Sequence, residues 1–409
     1  MPVLIEDRGG TVALLLVSLF FHGTWPALIT LLERRGRLPQ HTCLDYSITN
    51  LLAAVIMALV LGQATENSNG TEKFFSQLAQ DNWPSVLFAM AGGIALGLAN
   101  LLLQYSIPFL GLSVATVILT CLGVVIGTTM NYFIDGRINQ AVILFPGVGC
   151  FLIAALLGSS VHASNFKDAE NKLSMVEKRV VEDSTDVTSS GMVVPDPAEL
   201  ENGHARPCNT ISQAKVGTAE FIIQVEERRS IKVFGSDKWL GIGLVFLTAV
   251  CASLSFVGSN LVTKDQWHTL RNGTPHLVVY TVFFYFSVSC FVLEVCLNVW
   301  FLYQPRAGVP ASTIGAYTMD WKGRNWALVA GLLCGFGNGF KLMGAQAAGY
   351  AASDAVLALP LVSTVWAVVL FGEYRRSSRR TYLLLTPMLS MFAIGLAALI
   401  ASAGHRKAS

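Results

Sequence analysis

Charge is scarce in this chain. Acidic and basic residues together make up 13% of its 409 positions, against 53% hydrophobic residues, and the mean hydropathy is +0.54. A composition this apolar excludes a soluble globular domain, and no nucleic-acid partner is expected. No Gly-x-x-x-x-Gly-Lys-Ser/Thr string occurs, so a phosphate-cradling ATPase site has no support. The eight cysteines include no C-x-x-C pair, and all but Cys208 lie in or beside apolar runs, where cysteine behaves as a small hydrophobe. Neither a metal site nor a disulfide framework is indicated. Nothing pairs a nucleophile with a base, which argues against an embedded enzyme, and no cofactor is expected.

What the chain has instead is long apolar runs. Ten of them approach or exceed the roughly 20 residues needed to cross a bilayer core of about 30 Å. They are Gly9 to Leu32, Thr42 to Leu61, Trp83 to Gln104, Pro108 to Phe133, Ala141 to Gly158, Trp239 to Leu261, Leu277 to Tyr303, Trp326 to Gln346, Ala351 to Phe371 and Tyr382 to Ala401. The fold class expected is an all-α polytopic membrane protein of about ten transmembrane helices. Acidic Glu6 and Asp7 precede the first run and Arg34, Arg35 and Arg37 follow it, the reverse of a cleavable signal, so it reads as a retained span.

The cations set an orientation. Arg34, Arg35 and Arg37, then Arg306, Lys322 and Arg324, then Arg375, Arg376, Arg379 and Arg380 all fall in loops on one face, the cytosolic one by the positive-inside rule. The glycosylation sequons at Asn69 and Asn272 fall in loops of the other face. Both termini are then expected outside and the segment 161–238 in the cytosol, the protein lying in the plasma membrane among its lipids. Within that segment, Ser184 to Gln213 is too polar to bury a core and is expected to be disordered. Asp168 to Glu182 and Ala219 to Lys232 are expected as short surface helices, with Arg228, Arg229 and Lys232 toward lipid headgroups.

The two sides of this segment echo each other. Asn82-Trp83 opens the third run as Asn325-Trp326 opens the eighth, and Phe133-x-Asp135-x-Arg137 closes the fourth as Phe371-x-Glu373-x-Arg375 closes the ninth. Five spans per copy make the copies inverted relative to each other, the architecture common among secondary transporters. The domains expected are 1–160, a linking segment 161–238, and 239–409. Gly93 and Gly97, and Gly331, Gly335 and Gly339, repeat at four-residue spacing, which serves either close helix packing or sliding during alternating access.

Polar residues inside spans are costly unless they face a partner or water, so function is sought there. His22-Gly23-Thr24-Trp25-Pro26 places a titratable ring, a hydroxyl and an aromatic face at the middle of the first span. Asn100, Gln104, Asn131, Asn338 and Gln346 offer amide donors and acceptors, which suit a neutral polar ring better than an ion. Substrate contacts are expected from Thr24, Trp25, Asn100, Gln104, Asn338, Gln346 and Asp354. Proton coupling or gating is expected from His22, Asp45, Glu294, Lys341 and Glu373. Asp45 serves either this role or an ion pair with Arg34 or Arg37, Glu373 is read as a cytosolic latch, and Glu294 and Lys341 are expected to pair with each other across adjacent spans.

Longer strings carry a resemblance. Gly23-Thr-Trp-Pro26 with LERRGRLPQHTCLDY (Leu32 to Tyr46), QDNWPSVLFAMAGG (Gln80 to Gly93), FGNGF (Phe336 to Phe340), QAAGYAASDA (Gln346 to Ala355) and LFGEYRRSS (Leu370 to Ser378) closely resemble the plant ureide permeases. The resemblance implies a ten-span permease of the drug/metabolite transporter type. It would import allantoin, uracil, xanthine and similar heterocycles with protons as coupling ion. The chain departs from the family pattern in having Thr116 where Glu is usual, Lys341 and Leu357 where Gln is usual, and Glu294 where relatives are apolar. Rival expectations are an exporter or exchanger of another small polar metabolite, and a non-transporting membrane scaffold; the sequence leaves the oligomeric state open.

Overall fold

The computed structural model describes residues 8–64, 73–189, 218–231, 238–264, 276–306 and 308–403. Its ten long helices are α1 (Arg8–Arg34), α2 (Pro39–Ala64), α3 (Trp83–Leu110), α4 (Leu112–Ile134), α5 (Ala141–Ser189), α6 (Lys238–Lys264), α7 (Val279–Tyr303), α8 (Arg324–Ala348), α9 (Tyr350–Phe371) and α10 (Arg379–Ala401). Each is long and apolar enough to cross a membrane, so the protein is an integral membrane protein. Among the described residues there is no strand. The sequons at Asn69 and Asn272 lie outside the described residues.

Small residues decide which helices meet. Phe286, on α7, presents its backbone carbonyl to Gly93 of α3, and the Cys290 carbonyl lies 3.2 Å from where a side chain at Gly97 would begin. On the other side, α2 presents the Tyr46 carbonyl to Gly331 of α8, the Asn50 carbonyl at 2.8 Å to Gly335, and the Met57 methyl at 2.6 Å to Gly339. The glycine stripes are therefore backbone-to-backbone seams, α3 on α7 and α8 on α2, where van der Waals contact and not the hydrophobic effect binds helix to helix. Other contacts follow the same pattern. α3 packs on α6 as α8 packs on α1, α4 on α6 as α9 on α1, while α2 pairs with α7 and α5 with α10.

Two glycine corners repeat as well. Gly111 (φ +83°) joins α3 to α4 with no loop, and Gly349 (φ +95°) does the same between α8 and α9. Both lie in the positive-φ region that only glycine enters without strain.

The structure corrects two boundaries. α9 is not one helix: Tyr350–Ser353 is α-helical, Asp354–Leu357 is a 3-10 turn, and the α-helix resumes at Pro360. Pro360 has no N–H to give the preceding turn, so the ladder breaks there and Asp354 sits at the break. α5 does not stop at Gly158 but runs to Ser189, absorbing both the separate surface helix expected at 168–182 and the first residues of the expected disordered stretch, whose remainder to 213 lies outside the described residues. The extension is tied down. Asp168 Oδ2 accepts from the Ser378 N–H at 2.8 Å and from the Thr381 hydroxyl at 2.9 Å, satisfying donors at the start of α10.

Candidate functional site

Two polar networks run through the apolar bundle, and both include α8. The first begins at Glu294 on α7, fully buried. Its carboxylate accepts from the Ser47 hydroxyl at 2.7 Å and the Asn100 amide at 3.0 Å. Asn100 also donates to the Tyr46 hydroxyl at 2.9 Å, which donates to Cys334 Sγ at 2.8 Å. Asn338 Nδ2 reaches the same sulfur at 3.3 Å, and its Oδ1 lies 3.0 Å from His22 Nε2. His22 Nδ1 in turn faces the Ser18 carbonyl at 2.9 Å. Side chains from α1, α2, α3, α7 and α8 thus form one path from a carboxylate to an imidazole. Trp25 closes it on one side, its ring 5.4 Å from that of Tyr46.

The chemistry at the His22 end is specific. Both ring nitrogens face oxygens, and only a ring with N–H on each nitrogen donates to both. A neutral ring with its proton on Nε2 keeps this geometry, the Ser18 hydroxyl standing 3.3 Å from Nδ1 as a donor to it, whereas one with its proton on Nδ1 needs the Asn338 amide turned, so that Nδ2 faces Nε2 and Oδ1 faces Cys334. The position of the His22 proton and the direction of Asn338 are therefore linked.

The second network centres on the break in α9. Asp354 Oδ1 accepts from Lys341 Nζ at 2.9 Å, and Oδ2 accepts from Asn131 at 3.2 Å and Thr128 at 3.4 Å. Asn260 donates to Asn131 Oδ1 at 3.4 Å, and the Lys341 ammonium lies 3.8 Å from the centre of the Phe256 ring. The side chains of Lys341 and Asp354 are each 3% exposed.

This arrangement replaces the Glu294–Lys341 pair expected from the sequence. With a rise of about 1.5 Å per residue, Glu294 lies roughly 14 Å and Lys341 roughly 26 Å from the basic-loop ends of their helices. A lysine side chain cannot span that difference in depth, and Asp354 is nearer.

Ion pairs fasten the face carrying the basic loops. Arg34 binds Glu373 at 2.9 Å and lies 4.3 Å from the Phe371 ring, and Glu373 accepts from the Ser113 N–H at 3.4 Å. Arg37 meets Asp45 at 2.5 Å, one of the two partners expected for Asp45 from the sequence. Asp45 also accepts from Tyr317 at 2.8 Å and Arg324 at 3.3 Å. Burial holds the Arg37 guanidinium below its ordinary value despite Asp320 and Asp45, and pushes the Tyr317 phenol up to about 12. Of the helix expected over 219–232, Ala219–Arg228 forms and Lys232 lies outside the described residues; Arg229 does not turn to lipid but forks onto Glu33 with two contacts of 3.1 Å, while the Ile231 N–H donates to the same carboxylate at 3.2 Å. A buried carboxylate with aligned donors holds a guanidinium better than hydrated headgroups do.

The family model described as "Ureide permease" matches residues 42–402. The chain belongs to the ureide permease family. The permease is 56% identical over 404 residues to Ureide permease 2 of Arabidopsis thaliana, covering 99% of this chain and 100% of that one. It is 55% identical to Ureide permease 1 of the same plant, with 99% and 100% covered, and 52% identical to Probable ureide permease A3 of Vigna unguiculata, with 93% and 100% covered. Family membership makes it a transport protein and not an enzyme.

The structure brings His22, Asn100, Glu294 and Asn338 into the first network, with Trp25 against it, and Lys341 and Asp354 into the second. Thr24 stands apart, accepting from Trp366 Nε1 at 3.0 Å. Gln104 is spent on the Pro39 carbonyl at 2.6 Å near the basic face, and Gln346 lies two turns beyond Asn338, half-buried. Sequence reasoning gave no role to Tyr46, the hub of the first network, or to the Glu33–Arg229 fork. A signal for the latter existed: Glu33 is an acidic residue at the C-terminal end of a helix, where the macrodipole disfavours it unless a cation comes to meet it.

Proposed function

We propose that the permease is a proton-coupled importer of ureides and oxo-derivatives of nitrogen heterocycles, allantoin, uracil and xanthine among them, at the plasma membrane. The names of its relatives support a ureide cargo, and one observation carries the rest: the unbroken polar path from Glu294 to His22 through the bundle. It is built from neutral amides, hydroxyls and one thiol, with a carboxylate at one end and an imidazole at the other, which suits a substrate recognised by N–H and C=O groups and a proton exchanged beside it. The paired packing of α1–α5 and α6–α10 supports two inverted repeats, with substrate between them.

The basic face is taken as cytosolic, with both termini outside. That face is held by clustered ion pairs at Arg34, Arg37 and Arg229, whereas the opposite ends carry hydrogen bonds such as Gln77 to the His276 carbonyl at 3.1 Å, Asn139 to the Ala348 carbonyl at 3.0 Å and the Tyr350 N–H to Asp135 at 3.0 Å. Opening toward the outside leaves those ion pairs intact. Substrate enters there, stacks near Trp25 and exchanges hydrogen bonds with Asn100 and Asn338. A proton taken up at Glu294 removes a buried charge that only neutral donors surround, and a proton on His22 fixes the direction of Asn338. Neutralising Glu294 lowers the cost of closing the site before the cytosolic ion pairs part.

The test is uptake of labelled allantoin and uracil by yeast lacking its own permeases, at acid and neutral external pH, beside Glu294→Gln. Uptake that rises at acid pH in the parent and loses that rise in the variant is the expected result. No uptake with the protein at the cell surface overturns the importer reading, and a variant with full acid stimulation removes Glu294 from the coupling.

A further inference from the structure

The second network is electrically neutral and unfinished. Asp354 has about four acceptor positions as a carboxylate, and Lys341, Asn131 and Thr128 use three, two of them with long bonds of 3.2 and 3.4 Å. Lys341 has three donors and, among the described residues, one oxygen partner, Asp354, the Phe256 ring taking another side of the ammonium. Asn260 is fully buried and its Oδ1 has no hydrogen-bond partner among the described residues. Leftover donors and leftover acceptors lie together deep in the bundle, where each unmet group is expensive.

The ligand that completes such a site is constrained. A metal cation is repelled by Lys341 and an anion by Asp354. A neutral group presenting both a donor and an acceptor meets no such penalty. The Lys341 nitrogen and Asp354 oxygen stand 2.9 Å apart. In a cis-lactam the ring N–H and C=O point the same way, their heavy atoms roughly 2.3 Å apart from the amide bond lengths. The N–H then donates to Asp354 while the C=O accepts from Lys341, both within ordinary hydrogen-bond distance, and the ion pair need not break. Phe256, already against the ammonium, keeps the surroundings apolar, and Asn260 Oδ1 is the acceptor left over for a second N–H.

We propose that Lys341 and Asp354 together form a clamp that reads the cis-lactam edge, N–H beside C=O, of a planar ring. This rests on the importer reading above in taking substrate and ligand to be the same, the ring meeting this pair on its way in before it reaches Trp25, Asn100 and Asn338, and makes the pair a specificity determinant of that transport. A ring with every lactam nitrogen methylated keeps the same planar core, larger by its methyl groups, and has no N–H to offer. Asp354 and Asn260 would then be left unpaired, and a site built to bond an N–H rejects the analogue lacking it far more strongly than one built on fit alone.

The test is direct binding of hydantoin and of 1,3-dimethylhydantoin to the purified full-length protein by titration calorimetry, with uptake of labelled allantoin measured beside it. The parent is expected to bind hydantoin at least tenfold more tightly than the dimethyl analogue. Lys341→Gln/Asp354→Asn, which keeps a donor beside an acceptor, should retain that preference. Lys341→Met/Asp354→Leu, an apolar pair of similar bulk, should lose it while unfolding at the parent's temperature. Equal binding of the two rings by the parent, or a preference undiminished in the apolar variant, overturns the clamp. Should the apolar variant not fold, the comparison rests on the amide variant, whose loss of the preference equally overturns it. Hydantoin binding without any allantoin uptake would sink the importer reading and leave the clamp standing.

Discussion

Gly331→Ala offers a sharp test of how the bundle is held together. A methyl group at that position would collide with the Tyr46 carbonyl oxygen and the Thr49 hydroxyl, and would lie 2.9 Å from the Tyr46 carbonyl carbon. These are mostly backbone atoms of α2, so no rotamer change relieves the overlap and the two helices must separate. Overpacking of this kind costs about 1–3 kcal/mol. The same shift strains the bond from Thr49 to the Leu328 carbonyl, 2.7 Å long, which adds about 1 kcal/mol. Against these stands the gain from replacing glycine within a helix, about 0.5–1 kcal/mol. The balance is a net loss of about 1–3 kcal/mol. Gly149→Ala is the control: nothing lies within 4 Å of its new methyl, so only the helix gain remains and the variant should be as stable as the parent or up to about 1 kcal/mol better. Unfolding of both purified variants in detergent, followed by tryptophan fluorescence, measures the difference. If the two alanines shift the transition equally, the seam between α2 and α8 is not a rigid backbone contact and the packing argument fails.

Other outcomes follow from the same geometry. Arg229→Met leaves Glu33 buried without its cation and should destabilise the protein by about 3 kcal/mol; limited proteolysis should then cut the segment between α5 and α6 faster, and an unchanged cleavage rate would show the fork to be idle. Tyr46→Phe removes the hydroxyl joining Asn100 to Cys334 while keeping the ring against Trp25, for an expected loss of about 1–2 kcal/mol in the same unfolding assay. Gly349→Ala forces a Cβ into a positive-φ corner at a cost of about 1–2 kcal/mol, an effect absent if the α8–α9 corner relaxes. Asp320, outside the membrane, is pulled to an acid strength beyond the ordinary 3.8: burial would raise it, but the His41 hydrogen bond and the Arg37 charge outweigh that. A depressed carboxylate stabilises above its ordinary value and loses this as pH falls through the folded one. The unfolding transitions of the parent and of Asp320→Asn should therefore differ at neutral pH and converge in strong acid.

Hydropathy made the ten spans legible because the need to satisfy every backbone group inside a bilayer is local: a run of sufficient length has to be a helix. The basic loops, the glycine stripes and the helix following Thr218 could be read for the same reason, each being a property of neighbours along the chain. Partnership could not. Glu294 and Lys341 look like natural partners in a list of intramembrane charges, yet the depth of each along its helix, and the nearness of Asp354 at a break made by Pro360, assign Lys341 elsewhere. Gln104 resembles Asn100 one turn away and points into a different environment, toward the Pro39 carbonyl. Trp25 is recognisable as an aromatic in a polar neighbourhood, but its contact with Tyr46, the hub between Asn100 and Cys334, exists only once α1, α2, α3 and α8 are packed. The sequence by itself determined which segments cross the membrane, because burial of apolar length is additive along a chain. The tertiary structure alone decided which buried polar groups satisfy one another, because hydrogen bonds depend on rotation and depth to within an ångström.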